Sequence, residues 1–179
     1  MFIHEMTEAE CLDALGRARV GRLGCAHDNQ PYVIPIYFAI EKDHIYAFAT
    51  LGQKIEWMRI NPKVCLEVDE RIGPERWQSV VVYGRYEELP DLPQYKATRI
   101  KAHELLQKHA MWWEPACIAE EHRDRPHSCT PIFYRINVTS ISGHRATPER
   151  TEQQLQTIVE RKTKEGWWAS LVRRIGVQA

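Results

Sequence analysis

The amino-acid sequence predicts a mainly β (α+β) domain, a small antiparallel barrel with helices packed outside it. Three observations carry that expectation. Six short apolar runs, at 19–25, 31–40, 45–49, 64–68, 77–89 and 132–141, are bounded by the glycines, prolines, asparagines and charged residues that end strands. Most follow one another across short turns, so they pair as hairpins, and closure into a barrel removes the exposed edges. Helical periodicity is confined to the two ends of the chain and to the inserts ending near 61 and 109.

Taken in order, Thr7-Glu8-Ala9-Glu10 has the spacing of a capping box, and Leu12 and Leu15 follow at helical spacing until Gly16. Arg19–Cys25 is a strand whose apolar members are Val20, Leu23 and Cys25; its two glycines predict a bulge or a close backbone approach. After the turn Asp28-Asn29-Gln30, the run Pro31–Ile40 is apolar nearly throughout. Pro35 lacks a ladder donor, which makes this strand an edge or a bulged one. Glu41-Lys42-Asp43 turns back into Ile45–Ala49, and a helical pattern then runs to Asn61-Pro62. Val64–Val68 breaks at Arg71–Gly73, and the next strand runs from Trp77 to Leu89. Pro90 and Pro93 mark a boundary before a helix over Tyr95–His109, with Ile100, His103, Leu105 and Leu106 near helical period. Met111–Pro131 has no period and is expected to be a long loop. Ile132–Ile141 alternates as a strand and closes on Ser142-Gly143-His144-Arg145. Thr147-Pro148 is an N-cap followed by an N1 proline. Beyond it Leu155, Ile158 and Val159 share one helix face, and Trp168, Leu171, Val172 and Ile175 form a final apolar stripe.

The 179 residues carry 24 Lys+Arg and 24 Asp+Glu, so net charge gives no general affinity for nucleic acid or an anionic membrane. No apolar run approaches the roughly 18 residues that span a bilayer, and the acidic N-terminus does not have the pattern of a signal peptide. The five cysteines include no CxxC pair and suit a reducing compartment, so the expected location is cytoplasmic. Cys117, His122, His127 and Cys129 supply metal-type side chains, but at spacings unlike common zinc sites, and no metal is expected. No nucleophile elbow, P-loop or GxGxxG turn is present, and no catalytic residue can be nominated from spacing.

The most informative stretch is the junction after Ala49. Thr50, Gly52, Gln53 and Lys54 place a hydroxyl, backbone N–H groups and an ammonium where a strand passes into a helix, the donor set that an anionic head requires. Further segments accompany it: GRLG at Gly21–Gly24, QPYVIPIYFAI, NPKVCLEVDE, WQSVVVYGRYEEL and the closing SGHRA. In this order they resemble the pyridoxamine 5′-phosphate oxidase-like family, nearest its nitroimidazole-resistance-type flavin-binding branch, over residues 7–147. The resemblance implies a six-stranded antiparallel split β-barrel with flanking helices, forming a homodimer that holds FMN between protomers. Residues 1–147 are then the FMN-binding domain, and 148–179 a C-terminal helical extension packed on the barrel or on the dimer partner.

Laid on this chain, the resemblance assigns Thr50, Gln53 and Lys54 to the FMN phosphate. Pro35, Ile36 and Tyr37 border the isoalloxazine from one strand, and Trp77, Ser79 and Val80 from another. Arg22, His144 and Arg145 are weaker candidates for the cofactor or the partner chain, and Trp112 or Trp113 for covering the flavin from the second protomer. The resistance-type members often carry a histidine on the strand before the glycine-lysine turn; this chain has none between His44 and Lys54. Flavin chemistry on a small organic molecule is the expected activity. The alternative is a non-catalytic protein that stores or senses flavin or haem, the last needing an axial ligand among His103, His109, His122, His127 and His144; a phosphate turn alone does not distinguish FMN from a deazaflavin.

Overall fold

The computed structural model describes residues 1–108 and 131–148. The expectations for His109, the loop with Trp112, Trp113, Cys117, His122, His127 and Cys129, and the helices beyond Pro148 lie outside them. The elements are β1 (Phe2–Glu5), α1 (Glu8–Arg17), β2 (Val20–His27), β3 (Gln30–Tyr37), β4 (Ala39–Glu41), β5 (His44–Ala49), α2 (Gln53–Ile60), β6 (Lys63–Gly73), β7 (Arg76–Glu88), a 3-10 turn (Pro93–Tyr95), α3 (Lys96–Gln107) and β8 (Ile132–Thr147).

All strand pairs are antiparallel, and the ladder order is β3-β2-β6-β7-β8-β5-β4, with β1 beside β8. The sequence suggests six strands, and the described residues form eight. One addition is β1, which pairs with the far end of β8. The other arises because Pro31–Ile40 is interrupted at Phe38, whose N–H turns aside to the Arg19 carbonyl at 3.3 Å. That interruption closes the barrel. β3 and β4 stand at opposite ends of the ladder, yet one residue joins them, so the sheet must curl until its ends meet. Pro35 sits on an end strand, as its missing donor requires.

Local chemistry explains the hairpins. Asp28 and Asn29 have φ of 48° and 61°, the two left-handed residues that a two-residue turn needs to match strand twist between His27 and Gln30. β6 and β7 pair from Lys63↔Arg85 to Gly73↔Arg76, beyond the apolar run Val64–Val68 and up to the break expected at Arg71–Gly73, because ladder bonds and not side-chain apolarity continue the arm. Period-two alternation then sends Leu23, Leu66, Val68, Val80, Val82, Tyr134 and Ile136 into the interior.

The helices close this interior. In α1 the capping box is formed: Thr7 Oγ1 accepts from the Glu10 N–H at 3.3 Å, and Glu10 Oε2 accepts from the Thr7 N–H at 2.8 Å. Those Thr7 contacts, assisted by Arg145, hold the Glu10 carboxyl below the usual carboxylate range. Its buried face is Cys11, Ala14 and Leu15, whereas Leu12 is 39% exposed. α2 contributes Ile55 and Met58 to the same core. α3 lies outside, over β4 and β5, and covers a second cluster of Tyr37, Tyr46, Leu89 and Phe133 with Ala102 and Leu106; Ile100, though near helical period with Leu106, is exposed. In both helices the packing partner set the phase, overriding the run of large apolar residues. No helix among the described residues is long and apolar enough to cross a membrane.

Two glycines mark close approaches. A Cβ at Gly24 would meet Cys65 Sγ at 2.7 Å, so the strand expected to bulge or to admit a close neighbour does the latter. A Cβ at Gly84 would lie 2.7 Å from the Asn137 carbonyl oxygen and 2.5 Å from Ile136 Cγ2, at the bulge where the β7–β8 register shifts. Gly84→Ala should therefore cost about 1–3 kcal/mol through overpacking. Urea unfolding checks this, and an unchanged midpoint would mean that the bulge relaxes freely.

Candidate functional site

The strand-to-helix junction after β5 is built as the residue types require. Thr50, Leu51 and Gln53 are exposed, and Gly52 is the N-cap of α2, in extended backbone with no side-chain cap. The Ile55 and Glu56 amides reach the Gly52 carbonyl at 2.9 and 3.1 Å, leaving the amides of Gln53 and Lys54 outside the helical ladder. One turn on, Trp57 packs on His27 and Tyr32 with ring centroids 5.8 and 5.7 Å apart, and Asn61 Nδ2 donates to the Ala26 carbonyl at 2.9 Å. These contacts fasten α2 to the β2–β3 hairpin and fix where its first turn points.

Lys54 is the unusual member of this turn. It is half-buried, and among the described residues no carboxylate or hydrogen-bond acceptor pairs with it. Burial pushes its pKa below the ordinary lysine value, with the Cys25 thiol pulling weakly the other way. By contrast, Arg59 is held in a two-bond contact by Glu88 at 2.8 Å, Arg135 by Glu87 at 2.8 Å and Arg145 by Glu10 at 2.9 Å. A half-buried ammonium with no anion among the described residues, beside helix-start amides outside the ladder, offers the donor set that an anion takes.

A second group lies on the outer face of β3, β2, β6 and β7. The register aligns Pro35 with Arg22, Arg22 with Glu67, and Asp69 with Ser79. Arg22 Nη1 donates to Glu67 Oε2 at 3.1 Å and also to Asp69, while Ser79 Oγ donates to Glu67 Oε1 at 3.1 Å. Pro35 is exposed, and Trp77 and Ser79 are half-buried. Ile36, 5% exposed, and Val80, 0% exposed, face the core, so only their backbone is available to a ligand outside. Tyr37 is buried under α3 in the second cluster.

The structure thus brings together Thr50, Gln53 and Lys54 in one turn, and Pro35, Ser79 and Arg22 on one sheet face, but not the two groups within one chain. Lys54 lies by Cys25, next to the Gly24↔Cys65 pair, whereas Ser79 pairs with Asp69. Four residues of β6 separate these pairs, about 13 Å of extended strand. Glu67 and Asp69 are polar neighbours of Ser79 that the sequence reading missed; the alternation Leu66-Glu67-Val68-Asp69 carried the signal, but their partner strands did not follow from it. Arg145 is engaged by Gln78 at 3.1 Å as well as by Glu10, and so ties α1 to the β7–β8 ladder. His144 stands opposite Ser79 on β8.

Comparison with known proteins follows the same outline. A family model described as pyridoxamine 5′-phosphate oxidase matches residues 7–145. An uncharacterised protein of Rhizobium meliloti is 38% identical over 146 residues, which are 82% of this chain and 97% of that protein. The crystal structure of a FAD-binding protein from Mesorhizobium loti is 45% identical, with a TM-score of 0.69, over 82% of this chain and 100% of that one. A putative 5-nitroimidazole antibiotic resistance protein from Bacteroides thetaiotaomicron shares the fold at 17% identity and a TM-score of 0.60, over 80% of this chain and 89% of that one.

An unpaired buried charge destabilises the ligand-free protein, so Lys54→Met should raise its stability by about 1 kcal/mol. The pH dependence has a definite sign. Because the folded pKa of Lys54 is depressed, the unfolded chain binds more protons between the folded and unfolded values, and wild-type stability relative to Lys54→Met rises with pH through that window. Urea unfolding of both proteins across alkaline pH measures it; a difference that falls with rising pH would place an anion partner on Lys54.

Proposed function

Because this chain belongs to the pyridoxamine 5′-phosphate oxidase family, we propose that it binds a flavin and acts as a flavin-dependent oxidoreductase on a small organic molecule. The observation that carries this reading is Lys54, half-buried, without an anionic partner among the described residues, and set at the uncapped start of α2. A flavin phosphate supplies the missing charge, and the residues present fit it: Lys54 as point charge, the Gln53 and Lys54 amides as donors, Thr50 and Gln53 as side-chain contacts.

The outer-face group serves the ring. Pro35 and Trp77 offer apolar walls, and the backbone of Ile36 and Val80 offers donors and acceptors. Ser79 gives its hydroxyl hydrogen to Glu67, so toward a ligand it presents lone pairs, which suits the imide N–H of a flavin better than the carbonyls on either side of it. The bound flavin supplies hydride and electron chemistry, while the chain supplies binding, orientation and exclusion of water. FMN is the ligand expected from the resemblance. FMN and FAD share the phosphate next to the ribityl chain, and the Mesorhizobium relative is a FAD-binding protein, so the Lys54 turn serves either.

The separation of the two groups along β6 favours a homodimer in which one protomer's phosphate turn faces its partner's ring-binding strands. The outer face supports that arrangement, since Val33 is 64% and Tyr83 55% exposed around Pro35 and Arg22. Val20 is exposed there too.

Purified protein should be yellow and release FMN or FAD identifiable by mass. Lys54→Ala should weaken flavin affinity by about 1.5–3 kcal/mol, the value of a charge-assisted contact. Flavin fluorescence titration reads the loss, and undiminished affinity would move the phosphate elsewhere. Light scattering should show a dimer; a monomer at working concentration would remove the two-protomer site.

A further inference from the structure

Past Ser79, the outer face of the β6–β7 hairpin continues into a cleft of about 280 Å³. Its lining includes Asp69, Arg71, Pro74, Trp77 and Ser79. Asp69 pairs with Ser79 and Arg71 with Trp77, so these four side chains share one side of the hairpin. Ile72 is then an extra residue between the pairs Arg71↔Trp77 and Gly73↔Arg76. That bulge bends the strand and increases its twist beside Arg71.

Hydrogen bonding within the cleft is unevenly satisfied. Asp69 accepts from Arg22, and Glu70, also in the lining, accepts from Gln78 Nε2 at 2.7 Å with Arg17 4.0 Å away. Ser79 gives its hydrogen to Glu67. Arg71 is exposed, and its guanidinium has no acceptor among the described residues. Its planar fork of donors stands open in a cleft whose apolar walls are the half-buried Trp77 and Pro74.

We propose that this cleft binds a small planar aromatic carboxylate, with its ring against Trp77 and Pro74 and its charge paired with Arg71. A guanidinium fork takes carboxylates and phosphates alike. Asp69 and Glu70 decide between them, because fixed negative charges repel a dianion more than a monoanion. The volume suits a single-ring molecule, since it falls just below the roughly 300 Å³ at which sites for drug-sized ligands begin. Ser79 belongs to the same lining, so if it borders the ring as in the flavin reading above, on which this step rests, the carboxylate is the substrate class of that reaction. Binding itself does not require the flavin.

Calorimetric titration of the full chain with benzoate, with and without added FMN, tests both statements. Benzoate should bind in either case, and benzamide and phenyl phosphate on the order of tenfold more weakly. Arg71→Gln should lower benzoate affinity about tenfold and Trp77→Leu about fivefold. Arg76→Gln removes a neighbouring cation outside the lining and should leave affinity unchanged. No binding of benzoate, equal binding of benzamide or phenyl phosphate, or the same loss in Arg71→Gln and Arg76→Gln would overturn the proposal. With flavin bound, benzoate should also shift the flavin absorption bands; bands that stay put while benzoate binds would overturn its assignment as substrate. Benzoate binding by a protein that takes up no flavin would uphold the cleft and remove the flavin reading alone.

Discussion

A single residue, Phe38, imposes the constraint on which the molecule depends. It joins β3 to β4, the two ends of one ladder, and lies 1% exposed in the core. No flat sheet satisfies that connection. The sheet rolls up, its inner face becomes a closed apolar interior, and α1 and α2 supply the apolar side chains that complete it. Once the interior is sealed, anything the protein binds must be met on the outer face or at a strand-to-helix junction, and both candidate groups lie there.

Charge pairing separates structural groups from functional ones. Arg22, Arg59, Arg135 and Arg145 each have a carboxylate within hydrogen-bond reach, and in each case the pair joins one element to another. Arg145 is a clear instance: the resemblance made it a candidate for the cofactor, and the structure uses it to hold α1 on the β7–β8 ladder. Lys54 has no such partner among the described residues. Keeping a desolvated ammonium unpaired costs stability, and such a cost persists where a ligand returns the missing charge.

Much of the fold was legible because its signals are local. The capping box at Thr7, the edge character of Pro35 and the Thr50–Lys54 junction are read from residues within one turn of each other. Helix phase was less legible. Leu12 and Ile100 are large and apolar at the right spacing, yet they face outward, because the buried stripe of α1 runs through Cys11, Ala14 and Leu15 and that of α3 through Ala102 and Leu106. The strand count failed for a similar reason: nothing within Pro31–Ile40 says that Phe38 bonds to Arg19.

By itself the sequence determined the family, the mainly β class and the residue types offered to an anion, all of which follow from side-chain chemistry at short range. Tertiary structure alone decided that Ile36 and Val80 look inward, that Ser79 is already committed to Glu67, and that the Thr50–Lys54 turn and the face carrying Pro35 and Ser79 stand apart along β6. Those outcomes depend on ladder register, and register is set by pairings between residues distant in the chain.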